Sequence, residues 1–434
     1  TYILRVVTLT RVRLAYGKTE IDVTIPDENF MMVAWPRETP GSSEPILEIE
    51  RAMRNPIGTR RLGEIASPGD TVAIVVDDAT RPAPTHLMLP PILKELHSAG
   101  VKREDITIIF ATGTHRPVTK EEAIRLLGEE VASKYRWVNH DCDAPDLVYK
   151  GTTSYGTPVY INKIYDEADV KIITGDITLH YYAGFGGGRK SILPGVSGRK
   201  TIQHNHSMLF HPKAQAGVHR GNPISEDMVE ATKMVGVDFM LNVVLNSKKQ
   251  IVKAFAGDFE KAFIEGIKLI EKMYIVKTPY PADVTVASPG GHPFDINLYQ
   301  AHKAIYFAEQ ATRKGGHIIV LAECPDGIGN KRFEEWMQKY SSMDVMEALE
   351  QMKAELKKNF LLGAHKAYYM TNTVANYKLY LKSSLDPEML RRIYRIIPID
   401  DVQKTLNDIL EQNPDYKVLV LPFGNETLPV PETQ

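Results

Sequence analysis

Short apolar runs rich in β-branched residues recur along this chain, with helical patterns between them. The runs fall at 71–76, 106–111, 170–174, 284–287, 317–321 and 417–421, and the helical stretches at 84–97, 121–127, 259–273, 298–312, 345–357 and 402–412. A run without polar alternation is what a strand shows when helices cover both of its faces. Strand and helix alternating at this spacing predict an α/β fold with mostly parallel, doubly wound sheets. At 434 residues the chain exceeds one ordinary core. The segment KTPYPA at 277–282 carries two prolines between a long helix and a fresh strand. That sets the expected division: an N-terminal α/β domain over 1–276 and a C-terminal α/β domain over 277–434, with the active site in the cleft between them. The first 36 residues are expected to form a small antiparallel β element attached to the first domain.

Ligands of open α/β sheets bind beyond the carboxyl ends of the strands. Four strand ends here run into unusually polar or glycine-rich loops, DDATRP from Asp77, TGTHRP from Thr112, GDITLH from Gly175 and SPGGHP from Ser288. Packing has no need of Asp, Arg and His there, so their concentration points to function. The net charge of −2 gives no electrostatic reason to expect nucleic acid or an anionic membrane. No apolar run is long enough to span a bilayer, and no secretory apolar segment opens the chain. The two cysteines, Cys142 and Cys324, form no disulfide framework or CxxC knuckle. Together these features predict a cytoplasmic protein.

The stretch 183–198 reads AGFGGGRKSILPGVSG, with six glycines. Such a loop allows positive φ and lets N–H groups crowd around an anion. It is not a nucleoside triphosphatase loop: counted from Gly184, the required second glycine is Arg189, and Pro194 interrupts the helix that would follow. GxGxxG fails at the same place, which counts against an NAD-dependent dehydrogenase.

Of 13 histidines, three stand out by their company. His115 lies in a strand-end loop, His180 just before the glycine stretch, and His206 after it in QHNHS. They could ligate a zinc ion or serve as acids and bases. HExxH is absent, and His204 and His206, two apart on a helix, would point in different directions.

The strings DDATRPAP, GTHRP, GDITLHYYAGFGGGRKSILPGVSGRKTIQHNHS and SPGGHPFDINLYQAHKA occur in this order between Asp77 and Lys303. In them the chain resembles the nickel-dependent lactate racemase family. The resemblance implies that Lys190 forms a covalent thioamide with a nickel-pincer nucleotide, the nickel complex of a pyridinium-3,5-dithiocarboxylic acid mononucleotide. It makes His206 the protein ligand to nickel, and His115 and His180 the paired catalytic acid and base. Asp78, Arg81 and Lys303 become polar residues around cofactor and substrate, Asp78 on the cofactor side and the two cations on the substrate side. Tyr299 with Gln300 lies beside the substrate. Gly186, Gly187, Gly188 and Arg189 would hold the phosphate end of the cofactor, which separate maturation enzymes supply.

The chemistry implied is coherent. A 2-hydroxycarboxylate has no acidic α-hydrogen, so a histidine near neutrality cannot remove it as a proton at a useful rate. Removal as hydride is feasible if the hydroxyl proton leaves at the same time and an electrophilic carbon accepts the hydride. The planar 2-keto acid can take the hydride back on either face, and two bases serve the two orientations. Arg81 and Lys303 can hold the carboxylate throughout. Tyr299 and Gln300 resemble a lactate-type pocket, but 363–368 (GAHKAY) has no tryptophan for an apolar lid, and malate, longer-chain, aromatic or sugar acids are the alternative substrates. A zinc hydrolase would have no use for Lys190, and the joint presence of Lys190, His206, His115 and His180 argues against an inactive homologue that merely binds small acids.

Overall fold

The computed structural model describes residues 8–432 and divides into two compact units, one spanning Glu38–Met273 and one built from residues up to Arg37 together with those from Tyr274 onward.

The middle unit carries a six-stranded sheet. Its order is Ile251–Gly257, Phe239–Leu245, Val170–Asp176, Val72–Asp77, Ile106–Ala111 and Arg136–Asn139, parallel except for the first of these, which runs antiparallel to its neighbour. The expected runs at 71–76, 106–111 and 170–174 are thus neighbouring central strands. Ile74, Val76, Ile108, Phe110, Ile172, Leu241 and Val243 are fully buried on one face, against Met88, Leu89, Ile92 and Leu96 of the helix Thr85–Ser98 and Ile49 and Met53 of Pro45–Arg54. The strands from Val72 move outward in one direction, and those from Val170 in the other. The chain therefore reverses its winding between Val72–Asp77 and Val170–Asp176, and at such a switch point the loops diverge and leave room for a ligand.

In the other unit six strands are all parallel, in the order Ile397–Pro398, Lys378–Lys382, Thr312–Leu321, Ala282–Ala287, Val418–Leu421 and Phe30–Val33. The last of these corrects the expected place of the N-terminal residues. Phe30–Val33 adds an edge to the C-terminal sheet, and the hairpin Leu9–Tyr16/Thr19–Pro26 buries Val12, Leu14, Val23 and Ile25 among Val284, Val286, Leu406 and Val418. An antiparallel β element was legible there; the core that it covers was not. Among the described residues no helix is long and apolar enough to cross a membrane.

Candidate functional site

The two loops that flank the switch point carry Asp77 to Arg81 and Asp176 to His180. Asp78 is buried, and its Oδ2 lies 2.6 Å from His115 Nδ1, while its Oδ1 accepts from the Thr80 hydroxyl at 2.6 Å and the Thr80 amide at 2.9 Å. Burial alone would raise the Asp78 carboxyl, but His115 and Thr80 together hold it below the ordinary carboxylate range. A carboxylate only accepts, so His115 Nδ1 carries the hydrogen and the lone pair of the neutral ring lies on Nε2. The sequence assigned Asp78 to the cofactor; the structure gives it His115 as partner.

Asp77 and Asp176 end adjacent strands. Burial and the nearby Asp176 carboxylate push the Asp77 carboxyl upward, against the pull of Arg81.

Three more of the expected residues surround one aromatic ring. Tyr182 packs edge-on to His180 at 4.6 Å between ring centroids and to His206 at 5.2 Å, and Lys190 Nζ lies 5.9 Å from its centroid. His180 is held well below the usual imidazole range, first by burial, then by the charges of Lys190, Arg81, His206 and Arg189. Its Nδ1 accepts from the Ala183 amide at 3.3 Å, a long bond that holds this tautomer weakly. Lys190 is likewise pushed well below the ordinary amine range by burial and by Arg81 and Arg189, with Asp77 opposing. Burial and cationic neighbours favour the uncharged, nucleophilic form of an amine.

The glycine loop is built differently from the anion cradle expected. At Gly187 (φ +81°) a Cβ would lie 2.6 Å from the Asp176 carbonyl oxygen, and at Gly188 (φ +55°) one would lie 2.7 Å from the Phe263 ring. Close packing of the loop thus demands these glycines. The Gly186 amide donates to Thr178 O and the Gly188 amide to Asn242 Oδ1, both at 2.7 Å, so two of the three loop amides are engaged inside the protein. Arg189 is fully buried: its guanidinium donates to the carbonyls of Ala183 (2.8 Å), Phe185 (2.9 Å) and Gly187 (3.2 Å) and to Ser225 Oγ (2.8 Å), and lies 4.6 Å from the Phe263 ring. Burial lowers its pKa to about 9. Taking a guanidinium out of water costs several kcal/mol, and these contacts offset it. Arg189 ties the loop together from within rather than turning toward a phosphate.

His204 and His206 share the helix Arg199–Ser207 and diverge as expected, His204 Nδ1 lying 2.8 Å from Thr157 Oγ1 and His206 Nδ1 lying 3.1 Å from Asn205 Oδ1. Among the described residues the group of three close potential metal ligands is Asp141, Cys142 and Asp143, not the three histidines. Asp143 there is already engaged by Arg199.

Tyr299, Gln300 and Lys303 belong to the other unit, on the first turns of the helix Leu298–Gln310, whose cap Asn297 accepts from the Gln300 amide at 2.9 Å. Sequence reasoning missed their neighbour Lys366. It donates to Tyr299 O at 2.6 Å and lies 3.9 Å from the Tyr299 ring centroid. Burial and then the charge of Lys303 lower it to about 7. Lys366 lies on a second helix, Ala364–Asn376, so two helices bring Lys303 and Lys366 near one another. Tyr182 and Lys366 have no spacing signal; only proximity in the chain to His180 hinted at the former.

Comparison with known proteins agrees over almost the whole chain. The family model described as the lactate racemase N-terminal domain matches residues 16–217, and that of the lactate racemase C-terminal domain matches 277–427. Lactate racemase of Thermoanaerobacterium thermosaccharolyticum is 34% identical over 426 residues, covering 96% of this chain and 98% of the relative. Lactate racemase of Lactiplantibacillus plantarum is 33% identical over 427 residues, covering 96% and 99%. The solved lactate racemase apoprotein from T. thermosaccharolyticum superposes with a TM-score of 0.85 at 33% identity, covering 97% of this chain and 100% of that one. A protein from Thermotoga maritima, 20% identical with a TM-score of 0.64 over 91% of this chain and 100% of its own, shares the fold.

Proposed function

The chain belongs to the lactate racemase family and is a racemase, and from that premise we propose that it interconverts the enantiomers of lactate by moving the α-hydrogen as hydride. The observation that carries this reading is the grouping of Lys190, His180 and His206 about the Tyr182 ring, in the same unit as the His115–Asp78 pair.

The donor set fits a nickel-pincer nucleotide. Lys190 offers a buried amine whose uncharged form its surroundings favour, suited to a covalent linkage. His206 offers nickel a buried imidazole, a donor that suits this metal. When bound, the group supplies an electrophilic carbon able to accept hydride.

The chain itself handles the charge and the proton. His115 takes the hydroxyl proton at Nε2, and the Asp78 carboxylate beneath it steadies the resulting imidazolium. His180, held below the usual imidazole range by burial first and then by its cationic neighbours, does the same for the opposite enantiomer once its weak contact with the Ala183 amide gives way. The two bases sit in different settings, His115 against a carboxylate and His180 against Tyr182. Arg81 binds the substrate carboxylate bidentately. Tyr299, Gln300 and Lys303 are the substrate-side residues of the C-terminal unit in this reading, and the maturation enzymes act in the same compartment, the cytoplasm.

The test is the intact mass of the chain co-produced with the pincer-maturation enzymes, with peptide mapping and a chiral assay on L-lactate. An adduct on Lys190, absent from Lys190→Ala, and formation of D-lactate are expected. An unmodified chain, with maturation working on a control enzyme, or a racemising Lys190→Ala would overturn the reading.

A further inference from the structure

We infer that Asn205 and Asp227 fix His206 in its Nδ1–H form, so that Nε2 is the nitrogen offered to nickel. The metal half of this inference rests on the reading above; the tautomer half stands on hydrogen bonding alone.

Asn205 precedes His206 on the helix Arg199–Ser207, and both are buried. The Asn205 side-chain nitrogen has two acceptors in front of it, Asp227 Oδ2 at 2.7 Å and Ile224 O at 3.1 Å. Both acceptors call for an NH2 group at that position, which fixes the amide's orientation. The amide oxygen must then face His206 Nδ1, at 3.1 Å. An amide oxygen only accepts, so Nδ1 must donate. A neutral imidazole protonated at Nδ1 keeps its lone pair on Nε2, and imidazole ligates metals through a bare nitrogen. Turning the amide over would set an oxygen against two acceptors, so both ends of the side chain favour one arrangement.

Asp227 is itself held. It is fully buried in the helix Pro223–Val235, and its carboxylate accepts from Thr153 Oγ1 at 2.5 Å and Thr157 Oγ1 at 2.8 Å as well as from Asn205. The Thr157 hydroxyl, having given its hydrogen to Asp227, can only accept from His204 Nδ1 at 2.8 Å. The triplet His204-Asn205-His206 is thus wired at every position to one buried carboxylate. Outer partners of this kind orient a metal-binding imidazole, and losing one typically costs about 10–100-fold in metal affinity or activity.

The experiment is nitrogen-15 NMR of the full-length apoprotein labelled at histidine, with the His206 signals assigned by comparison with His206→Gln. The Nδ1–H pattern is expected for His206 in the wild type, and its loss in Asn205→Ala. An Nε2–H pattern in the wild type, or an unchanged pattern in Asn205→Ala, would overturn the inference. Should that variant not fold, Asp227→Asn carries the comparison, with a weakened Nδ1–H preference expected. In the cofactor-loaded enzyme Asn205→Ala should lower kcat about 10–100-fold with KM for lactate little changed. An Nδ1–H form together with full activity in loaded His206→Gln would overturn the nickel half and the metal assignment, and leave the tautomer half standing.

Discussion

Asp78 Oδ2 lies 2.6 Å from His115 Nδ1, and this single contact decides which nitrogen of the imidazole carries the hydrogen. Asp78→Asn replaces an acceptor by a group that can present either end, and it removes the charge that steadies an imidazolium. We expect kcat to fall about 10²–10⁴-fold with substrate binding little changed. The two enantiomers have equal free energy, so kcat/KM must fall by the same factor in both directions. Progress curves started from each enantiomer check this, and an unaltered kcat would remove Asp78 from the proton-handling pair.

Tyr182 separates His180 from His206 and underlies Lys190. Tyr182→Leu should let these groups drift, and a misplacement of about 1 Å can cost about 10²-fold in rate. Tyr182→Phe keeps the ring and should remain near wild type. Equal losses in the two variants would show that the hydroxyl, not the ring, matters.

Arg189→Leu removes the guanidinium that donates to the carbonyls of Ala183, Phe185 and Gly187 and to the Ser225 hydroxyl. A destabilisation of about 3 kcal/mol or more is expected for the middle unit. Denaturant melts check it. A melt superimposable on the wild type would mean that the loop holds its shape without the guanidinium.

Glu309 is pushed up to about 7 by burial, partly opposed by the Thr373 hydroxyl that donates to it at 2.7 Å. Its folded pKa lies above the unfolded value of about 4.3, so its contribution is fully present below that pH. It is lost as pH rises through about 7. Glu309→Gln abolishes the titration, so the variant should gain on the wild type between about pH 5 and pH 8.5, on the order of 3 kcal/mol. Urea unfolding at the two pH values measures it, and a constant difference between the proteins would refute it.

The strand-end loops were legible because buried parallel strands read as apolar runs, and polar residues just after them have no packing role. That brought His115 and His180 forward as candidates from the chain alone, and the family resemblance added Asp78. The glycine stretch was legible as a special loop, but its purpose was not. Glycine signals room for close approach without saying what approaches, and here it is the Asp176 carbonyl and the Phe263 ring. Arg189 looked like an anion ligand because a sequence shows charge and hides direction. Asn205 stood in plain view between two histidines, yet Asp227, which gives it meaning, lies 22 residues away on another helix.

The adoption of Phe30–Val33 by the C-terminal sheet makes the middle unit an insertion within the other one. Asn29 is anchored by the Pro414 carbonyl, 385 residues downstream. During synthesis at about 5–20 residues per second, the first hairpin therefore emerges long before its partners exist. The middle unit has all its strands in hand by Gly257 and can close while the ribosome is still working. Its neighbour must wait with an exposed edge strand until the last β segment arrives. The order of assembly is thus written into the topology: the middle unit first, the unit that holds both ends of the described chain last.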